Sequence, residues 1–276
     1  MLMKFTKMHG LGNDFVVIDA VTQNVHVTGS MVRRLANRTL GIGCDQVLVI
    51  EAPTETDIDF NYRIFNQDGG EVEQCGNGAR CLARYVYDRQ LTGKNPILVK
   101  TKNRVMALHL EDNKSVRVDM GIPQLDPAQI PFQTEQPAAL YEIEVADERH
   151  HIAAVSMGNP HAVLQVLDVT TAPVETLGPI LECHSRFPSR VNVGFMQIVD
   201  RSTIKLRVFE RGVGETQACG SGACAAAVAA IQQELVDSPV TVQLTGGDLN
   251  IQWQGVDEPL LMTGPTASVF HGRVRI

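Results

Sequence analysis

Residues 66–80 read NQDGGEVEQCGNGAR, and residues 210–224 read ERGVGETQACGSGAC. The two stretches align without a gap, so that Cys75 and Cys219 occupy the same place and each is followed by Gly-x-Gly. Each cysteine also directly precedes residues with helical periodicity. This repeat predicts two related halves, each with one thiol at the start of a helix.

The length, composition and net charge of the chain limit the class of protein to which it can belong. The chain has 276 residues, 44% of them hydrophobic, and a formal net charge of −7. That length can form two domains with real cores. Lys and Arg are scattered rather than clustered, which argues against nucleic acid and favours a small-molecule partner. The first 15 residues have no apolar signal segment and no run is long enough to span a membrane, so we expect a cytoplasmic protein with six reduced cysteines.

Hydrophobic periodicity predicts a mixed α/β (α+β) fold with the same order of elements in both halves. We expect Ser30 to cap the first helix, and Arg80, Arg84 and Asp88 to form a polar stripe on the second. The last helix is apolar on every side, which predicts burial inside a barrel or sandwich of strands. The predicted helices cover 30–38, the segment after Cys75, 174–182 and 223–231. The predicted strands cover 14–19, 47–50, 57–65, 97–101, 104–110, 115–120, 140–145, 151–156, 162–167, 193–199, 203–209, 240–244, 249–253, 260–263 and 267–271.

Polar residues at the predicted strand ends also match between the halves. Asn13 corresponds to Asn159 and Gln46 to Asn192, both pairs at an offset of 146, and each residue stands at the start of a strand. In the cysteine repeat itself Asn66 corresponds to Glu210. The sequence therefore predicts two matching sets of amide and carboxylate groups that face a shared cleft.

A thiol before a helix suits acid and base chemistry. The helix dipole and the first-turn amides lower the pKa of such a thiol, and the same amides can hold a carboxylate. Two thiols on opposite faces of an α-carbon can invert it, one removing a proton while the other delivers one. His161 and Glu210 are the titratable groups that we expect to adjust the thiols. The other four cysteines lack this setting, and Cys81 and Cys224 are expected to be core residues.

Taken together, these motifs resemble the diaminopimelate epimerase family over essentially the whole chain. The resemblance is carried in order by segments 9–15 (HGLGNDF), 41–46 (GIGCDQ), 66–80, 156–161 (SMGNPH), 190–192 (RVN) and 210–222. It implies a pyridoxal-independent, metal-free enzyme that interconverts LL- and meso-diaminopimelate for lysine and peptidoglycan synthesis. It also implies two pseudosymmetric halves, residues 1–119 with 264–276 and residues 120–263, each a barrel-like, mostly antiparallel sheet around a central helix.

The resemblance further assigns roles to individual residues. Cys75 and Cys219 are implied to be the acid and base, assisted by His161 and Glu210. The backbone at Gly76, Asn77, Gly220 and Ser221 is implied to hold the reacting carboxylate. The implied contacts to the rest of the substrate are Asn13, Gln46, Asn66, Asn159, Asn192, Glu210 and Arg211.

Two positions depart from the family pattern. Gly70 stands where the pattern usually has serine, which removes a hydrogen bond of the loop. Phe270 stands where an aromatic residue, often tyrosine, contacts the partner in a homodimer, so the apolar surface is kept and a hydroxyl is lost. We therefore still expect a homodimer.

Three other functions remain compatible with the residues. A proline or hydroxyproline racemase would use the same fold and two thiols on a cyclic imino acid, although the ring of amides and Arg211 argue against it. A thiol redox protein would form a disulfide between Cys75 and Cys219. A binding module would keep the fold and bind its ligand without turnover.

Overall fold

The computed structural model describes residues 2–72, 75–145 and 148–275. The chain divides into two compact units, Met1–Asp119 with Thr263–Ile276, and Met120–Met262. Within the described residues the helices are α1 (Gly29–Ala36), α2 (Gly76–Asp88), α3 (Val174–Glu182) and α4 (Gly220–Gln232). The strands are β1 (Leu2–Gly10), β2 (Asn13–Asp19), β3 (Gln46–Glu51), β4 (Phe60–Asn66), β5 (Glu71–Val72), β6 (Ile97–Lys100), β7 (Val105–Leu110), β8 (Val116–Gly121), β9 (Tyr141–Val145), β10 (Glu148–Ser156), β11 (Pro160–Gln165), β12 (Asn192–Asp200), β13 (Thr203–Glu210), β14 (Gly214–Thr216), β15 (Val240–Leu244), β16 (Gly247–Gln252), β17 (Leu260–Gly264) and β18 (Ala267–Arg275).

The first unit is a mostly antiparallel sheet with a helix on each side. Strand β1 pairs antiparallel with β18 and with β2, β2 runs parallel to β3, and β3 is antiparallel to β4. Strand β4 then pairs antiparallel with β5 and parallel with β6, and β7 continues antiparallel. Helix α2 packs on β1, β2, β3 and β7, while α1 packs on β3 and β4. With both faces covered, β2 and β3 are continuous apolar runs.

The second unit repeats this order of pairings strand for strand. Strands β9, β10 and β11 are antiparallel neighbours, and β11 runs parallel to β12. Strand β12 is antiparallel to β13, which pairs antiparallel with β14 and parallel with β15, and β16 follows antiparallel. Helix α4 contacts β10 to β13, β15 and β16, and it is buried from Gly220 to Ala230 except at Ser221. The predicted enclosure of this helix and the predicted fold class are confirmed.

The end of the chain completes the first unit. Strand β18 pairs with β1 along most of its length, from Leu2 opposite Arg275 to His9 opposite Ala267. Just before it, the Thr266 hydroxyl donates a hydrogen bond of 3.3 Å to the carbonyl of His9, and Pro265 accepts one from Arg80 Nε at 3.4 Å. The C-terminal segment therefore contacts both the first strand and helix α2.

The structure corrects three expectations about local elements. Helix α1 begins at Gly29 and is capped by Thr28, whose hydroxyl accepts from the Met31 amide, rather than by Ser30. Arg80 does not belong to a solvated stripe, because it is fully buried in α2. Strand β1 was not predicted, since Lys4 and Lys7 interrupt its apolar pattern; Lys7 is nevertheless mostly buried and pairs with Asp14 at 2.5 Å.

Candidate active site

In the first unit the thiol of Cys75 caps helix α2. Cys75 has extended backbone angles (φ −148°, ψ 113°), and its Sγ accepts a hydrogen bond of 3.4 Å from the Gly78 amide. This is the place usually taken by Ser, Thr, Asp or Asn, whose oxygen satisfies an amide of the first turn. A half-buried sulfur therefore stands where the helix dipole is positive.

The glycine that makes this contact cannot be replaced without a clash. A Cβ at Gly78 would lie 2.2 Å from the hydroxyl of Tyr62, and that hydroxyl donates a 3.4 Å hydrogen bond to the Cys75 carbonyl. Burial raises the pKa of Tyr62, with a further increase from the nearby Cys75, so this phenol stays protonated as a donor. Tyr62 on β4 therefore holds the turn that presents the thiol.

Two asparagine side chains flank this thiol. Asn77 Nδ2 donates a 3.2 Å hydrogen bond to Asn13 Oδ1, and Cys75 Sγ lies 3.9 Å from the same oxygen. The other end of the Asn13 amide donates to Asp45 Oδ2 at 3.0 Å. The predicted pair Asn13 and Asn77 is thus brought together with Cys75 at one edge of the sheet.

Gln46 and Asn66 lie at the same edge. Gln46 begins β3 directly opposite Asn66 at the end of β4, and Gln46 Nε2 donates to Asn66 Oδ1 at 2.9 Å. Next to Asn66, Gly70 closes the loop: the Asn66 amide donates to its carbonyl, and the Gly70 amide donates to Asp68 Oδ1 at 2.8 Å. The carboxylate of Asp68 therefore supplies a side-chain bond to the backbone at Gly70.

In the second unit Cys219 caps helix α4 in the same way. Its Sγ accepts a 3.3 Å hydrogen bond from the Gly222 amide and lies 3.6 Å from the hydroxyl of Ser221. Burial raises the pKa of this thiol well above its ordinary value, and the charge of Glu210 raises it further. The contacts with Ser221 and Gly222 lower the pKa by less. The sequence-based expectation of a lowered pKa therefore fails at Cys219, because the effect of burial on the pKa outweighs that of the first-turn contacts.

His161 and Asn159 form a second polar pair. His161 Nε2 lies 3.1 Å from Asn159 Oδ1, and Asn159 Nδ2 donates to the Ser221 hydroxyl at 3.4 Å. Burial lowers the pKa of His161 to about 3, with a smaller contribution from Arg211. The imidazole is therefore neutral at pH 7, and the structure connects it to the start of α4 through Asn159.

The remaining predicted residues surround the loop after β13. Asn192 begins β12 opposite His161. The side-chain nitrogen Nδ2 of Asn192 donates to the Pro160 carbonyl at 2.9 Å. Asn192 Oδ1 accepts from the Arg211 amide at 3.0 Å, and the Arg211 guanidinium donates to the Ser189 carbonyl at 2.9 Å. Glu210 accepts a 2.5 Å hydrogen bond from the Thr216 hydroxyl.

Gly76 and Gly220 are the first residues of α2 and α4, where a helix supplies no carbonyl acceptor for its own amides. The unpredicted members of the two sites are Asp45, Tyr62, Ser189 and Thr216. Of these, Asp45 had the clearest signal, because it directly precedes Gln46 in the quoted GIGCDQ segment.

The other cysteines and the exposed aromatic residue lie elsewhere. Outside the two caps, Cys44, Cys81 and Cys224 are buried and Cys183 is exposed. Phe270 on β18 is 47% exposed and packs edge-on against Phe5, with ring centroids 5.9 Å apart.

Across residues 2–72, 75–145 and 148–275, His, Cys, Asp and Glu form no cluster of three suited to a metal ion. The same ranges contain no helix both long and apolar enough to cross a membrane.

Comparisons of the sequence and of the fold with known proteins identify what this chain is similar to. Residues 5–125 and 153–269 match the family model described as diaminopimelate epimerase. Proteins named diaminopimelate epimerase from Pseudomonas entomophila (strain L48) and Ectopseudomonas mendocina (strain ymp) are 58% and 57% identical over 276 residues, covering 100% of both chains in each case.

Among solved structures, a Bacillus anthracis phenazine biosynthesis protein of the PhzF family superposes with a TM-score of 0.71 at 13% identity, covering 100% of both chains. A hydroxyproline epimerase from Agrobacterium vitis superposes with a TM-score of 0.70 at 13% identity, covering 99% of this chain and 92% of the other. These two likenesses show the fold. The family match and the full-length relatives show more: this chain belongs to the diaminopimelate epimerase family.

Proposed function

We propose that this protein interconverts LL- and meso-diaminopimelate by inverting one α-carbon, a step that supplies lysine and peptidoglycan precursors. The observation that carries the proposal is the duplicated cap: Cys75 and Cys219 hold equivalent positions before α2 and α4, each bonded to the amide three residues on. Both close relatives bear the name of this activity.

The reaction needs two proton transfers and no redox step. One cysteine thiolate removes the α-proton, forming an S–H bond while the electron pair of the broken C–H bond moves toward the substrate carboxylate. The other cysteine gives its S–H proton to the opposite face and becomes the thiolate. The reverse reaction exchanges the two roles, so side chains of this protein perform every proton transfer and the proposal calls for no cofactor.

The amides at Gly76, Asn77, Gly220 and Ser221 stabilise the charge that develops on the carboxylate. Helix N-termini favour an anion, and their effect is strongest where water is excluded. An α-proton is a far weaker acid than a thiol, so this stabilisation is the largest demand on the site. Glu210 supports the second thiol, because a carboxylate beside Cys219 can accept its proton and leave the reactive thiolate.

The other polar residues position the remainder of the substrate. Asn13, Gln46, Asn66, Asn159 and Asn192 offer amide groups at the strand ends, where they can bind the ammonium and carboxylate of the distant centre. Arg211 is suited to a carboxylate because its planar guanidinium can donate two parallel hydrogen bonds. One terminal nitrogen of that guanidinium donates to the Ser189 carbonyl, which fixes the position of the Arg211 side chain.

We also propose that the protein works as a homodimer in the cytoplasm. The exposed side chains of Leu40 and Phe270 form an apolar patch and line one surface cavity of about 390 Å³. Contiguous apolar surface of this kind marks association sites. Chemistry that depends on free thiols is suited to a reducing compartment.

The test is to incubate reduced protein with LL-diaminopimelate in deuterated water and to follow deuterium at the α-carbon together with stereochemistry. We expect one α-deuterium per inversion and an approach to the mixture of LL and meso forms. L-Proline and trans-4-hydroxy-L-proline, run in parallel, should not exchange. Exchange of the cyclic substrates alone would identify a racemase, and binding without exchange would identify a binding module. Reversible loss of the Cys75 and Cys219 thiols on oxidation, with no exchange by the reduced protein, would indicate the redox alternative.

A further inference from the structure

The Asn13 side chain has a defined orientation, and a carboxylate determines it. Its Nδ2 donates to Asp45 Oδ2 at 3.0 Å, and an ionised carboxylate can only accept. The nitrogen of the amide must therefore face Asp45, and the oxygen must face the opposite way. On that opposite side Oδ1 accepts from Asn77 Nδ2 at 3.2 Å and lies 3.9 Å from Cys75 Sγ.

Asp45 is itself held on several sides. Its Oδ2 also accepts from the Asp14 amide at 3.0 Å, its Oδ1 accepts from Arg38 at 2.7 Å, and its own amide donates to Asp14 Oδ1 at 2.8 Å. Asp14 is fixed in turn by ion pairs with Lys7 and with both terminal nitrogens of Arg38. Burial raises the pKa of Asp14, but the bonds from Arg38 and Lys7 lower it more, to about 2. Asp14 therefore stays ionised at neutral pH.

The second unit shows what happens without this carboxylate. At the offset of 146 that matches Asn13 to Asn159, the counterpart of Asp45 is Val191, which is buried and carries no acceptor. There the side-chain amide of Asn159 turns its nitrogen, rather than its oxygen, toward the helix that the cysteine caps. The nitrogen donates to Ser221 at the start of α4, and the oxygen is 3.1 Å from His161 Nε2. The two related amides are thus turned in opposite senses.

We propose that Asp45 is a positioning residue that orients the Asn13 amide so that its oxygen, rather than its nitrogen, faces the thiol of Cys75. An acceptor beside Sγ stabilises the protonated thiol, whereas an N–H donor would stabilise the thiolate. Asp45 thereby favours the acid form of Cys75. The catalytic consequence rests on the proposed function, but the orientation of the amide does not.

The test measures the pH dependence of Cys75 alkylation by iodoacetamide without substrate, following the Cys75 peptide by mass spectrometry. Tyr62 and Cys81 also lie near this thiol, Arg80 lies near Cys81, and all three stay in place. We expect Asp45→Val, which copies the second unit, to lower the apparent pKa of Cys75 by about 1 unit because the amide can turn.

Repeating the measurement in an Asn13→Ala protein separates the orientation of the Asn13 amide from the direct effect of the Asp45 charge on Cys75. If Asp45 acts through the amide, Asp45→Val should cause no further shift once Asn13 is Ala. An equal shift in both backgrounds, or a wild-type profile in a folded Asp45→Val protein, would overturn the proposal. Turnover is not part of this readout, so a protein that lacked epimerase activity would leave the result on orientation intact.

A measurement on the unaltered protein covers the case in which Asp45→Val does not fold. The side-chain NH2 signals of Asn13 in nitrogen-labelled protein should move as Asp45 is protonated at acidic pH. They should not follow the ionisation of Cys75 at alkaline pH. The opposite pattern would show the nitrogen facing the thiol and would contradict the proposal.

Discussion

The backbone amide of Gly222 donates a hydrogen bond of 3.3 Å to Cys219 Sγ. Gly78 makes the matching contact with Cys75 at 3.4 Å in the other unit. The same cap thus occurs twice, but the surroundings differ, because Cys219 is 4% exposed while Cys75 is half-buried. Equivalent backbone geometry therefore supports two thiols that differ in their exposure to solvent.

Both thiols should be indispensable. Cys75→Ala and Cys219→Ala should each lower the rate of epimerisation by about 10²–10⁴-fold, because inversion requires an acid and a base on opposite faces. Chiral chromatography of the product checks this result. The matched control is Cys183→Ala, which removes an exposed thiol and should leave the rate unchanged. Full activity in either of the first two variants would exclude that cysteine from the mechanism.

The charge of Glu210 should govern the acidity of Cys219. Burial and this carboxylate both raise the pKa of the thiol, so Glu210→Gln removes the smaller of the two effects and should shift the pKa downward. The ultraviolet absorbance of the thiolate, corrected with a Glu210→Gln/Cys219→Ala protein, gives the titration. Glu142→Gln, at an exposed position, should shift nothing. An unchanged or higher pKa in Glu210→Gln would contradict the assignment.

The absent side chain at Gly78 should matter for stability. A Cβ there would lie 2.2 Å from the Tyr62 hydroxyl, so Gly78→Ala should lower the free energy of unfolding by about 1–3 kcal/mol in urea titrations. Gly93→Ala is the control, since a Cβ at Gly93 would meet nothing within 4 Å. Adding Tyr62→Phe to Gly78→Ala should recover part of the loss because it removes the clashing oxygen. Additive losses in the double variant would show that this clash is not the cause.

The exposed ring of Phe270 should report on the proposed dimer. Phe270→Asp places a charge in the apolar patch and should shift the sedimentation profile from dimer toward monomer at micromolar concentration. Val105→Asp tests a strand position of similar exposure, 49% against 47%, and should leave the profile unchanged. A wild-type protein that sediments as a monomer, or a Phe270→Asp protein that remains dimeric, would argue against an interface at this patch.

Patterns of apolar residues predicted most of the fold. The all-round apolar character of α4 predicted its enclosure, and the repeated cysteine segment predicted the repeated order of strands. Charged residues that are buried in pairs gave no such signal. Lys7 lies within β1 because Asp14 neutralises it, and Arg80 is buried where its helical spacing suggested a solvated face. A one-dimensional pattern does not contain those partners.

The sequence also showed which residues belong to the site, but it did not show which hydrogen bonds their side chains make. Asn13, Asn159 and both cysteines were recognisable from the repeat, but the direction of each amide depends on a neighbouring side chain that the repeat does not share. Asp45 determines that direction in one unit and His161 is the partner in the other. Likewise, the raised pKa of Cys219 comes from burial by strands that surround α4, which cannot be inferred from the cap alone.

The pairing of β1 with β18 has a consequence for biosynthesis. A ribosome makes residues 120–262 before it makes the strand that β1 requires, so the second unit can fold while the first still lacks an edge. Until then the Arg80 and His9 contacts with residues 265–266 are also missing, so the helix behind Cys75 lacks part of its support. The first unit is therefore built from segments on both sides of the second in the sequence, and its sheet is complete only once the residues of β18 have been made.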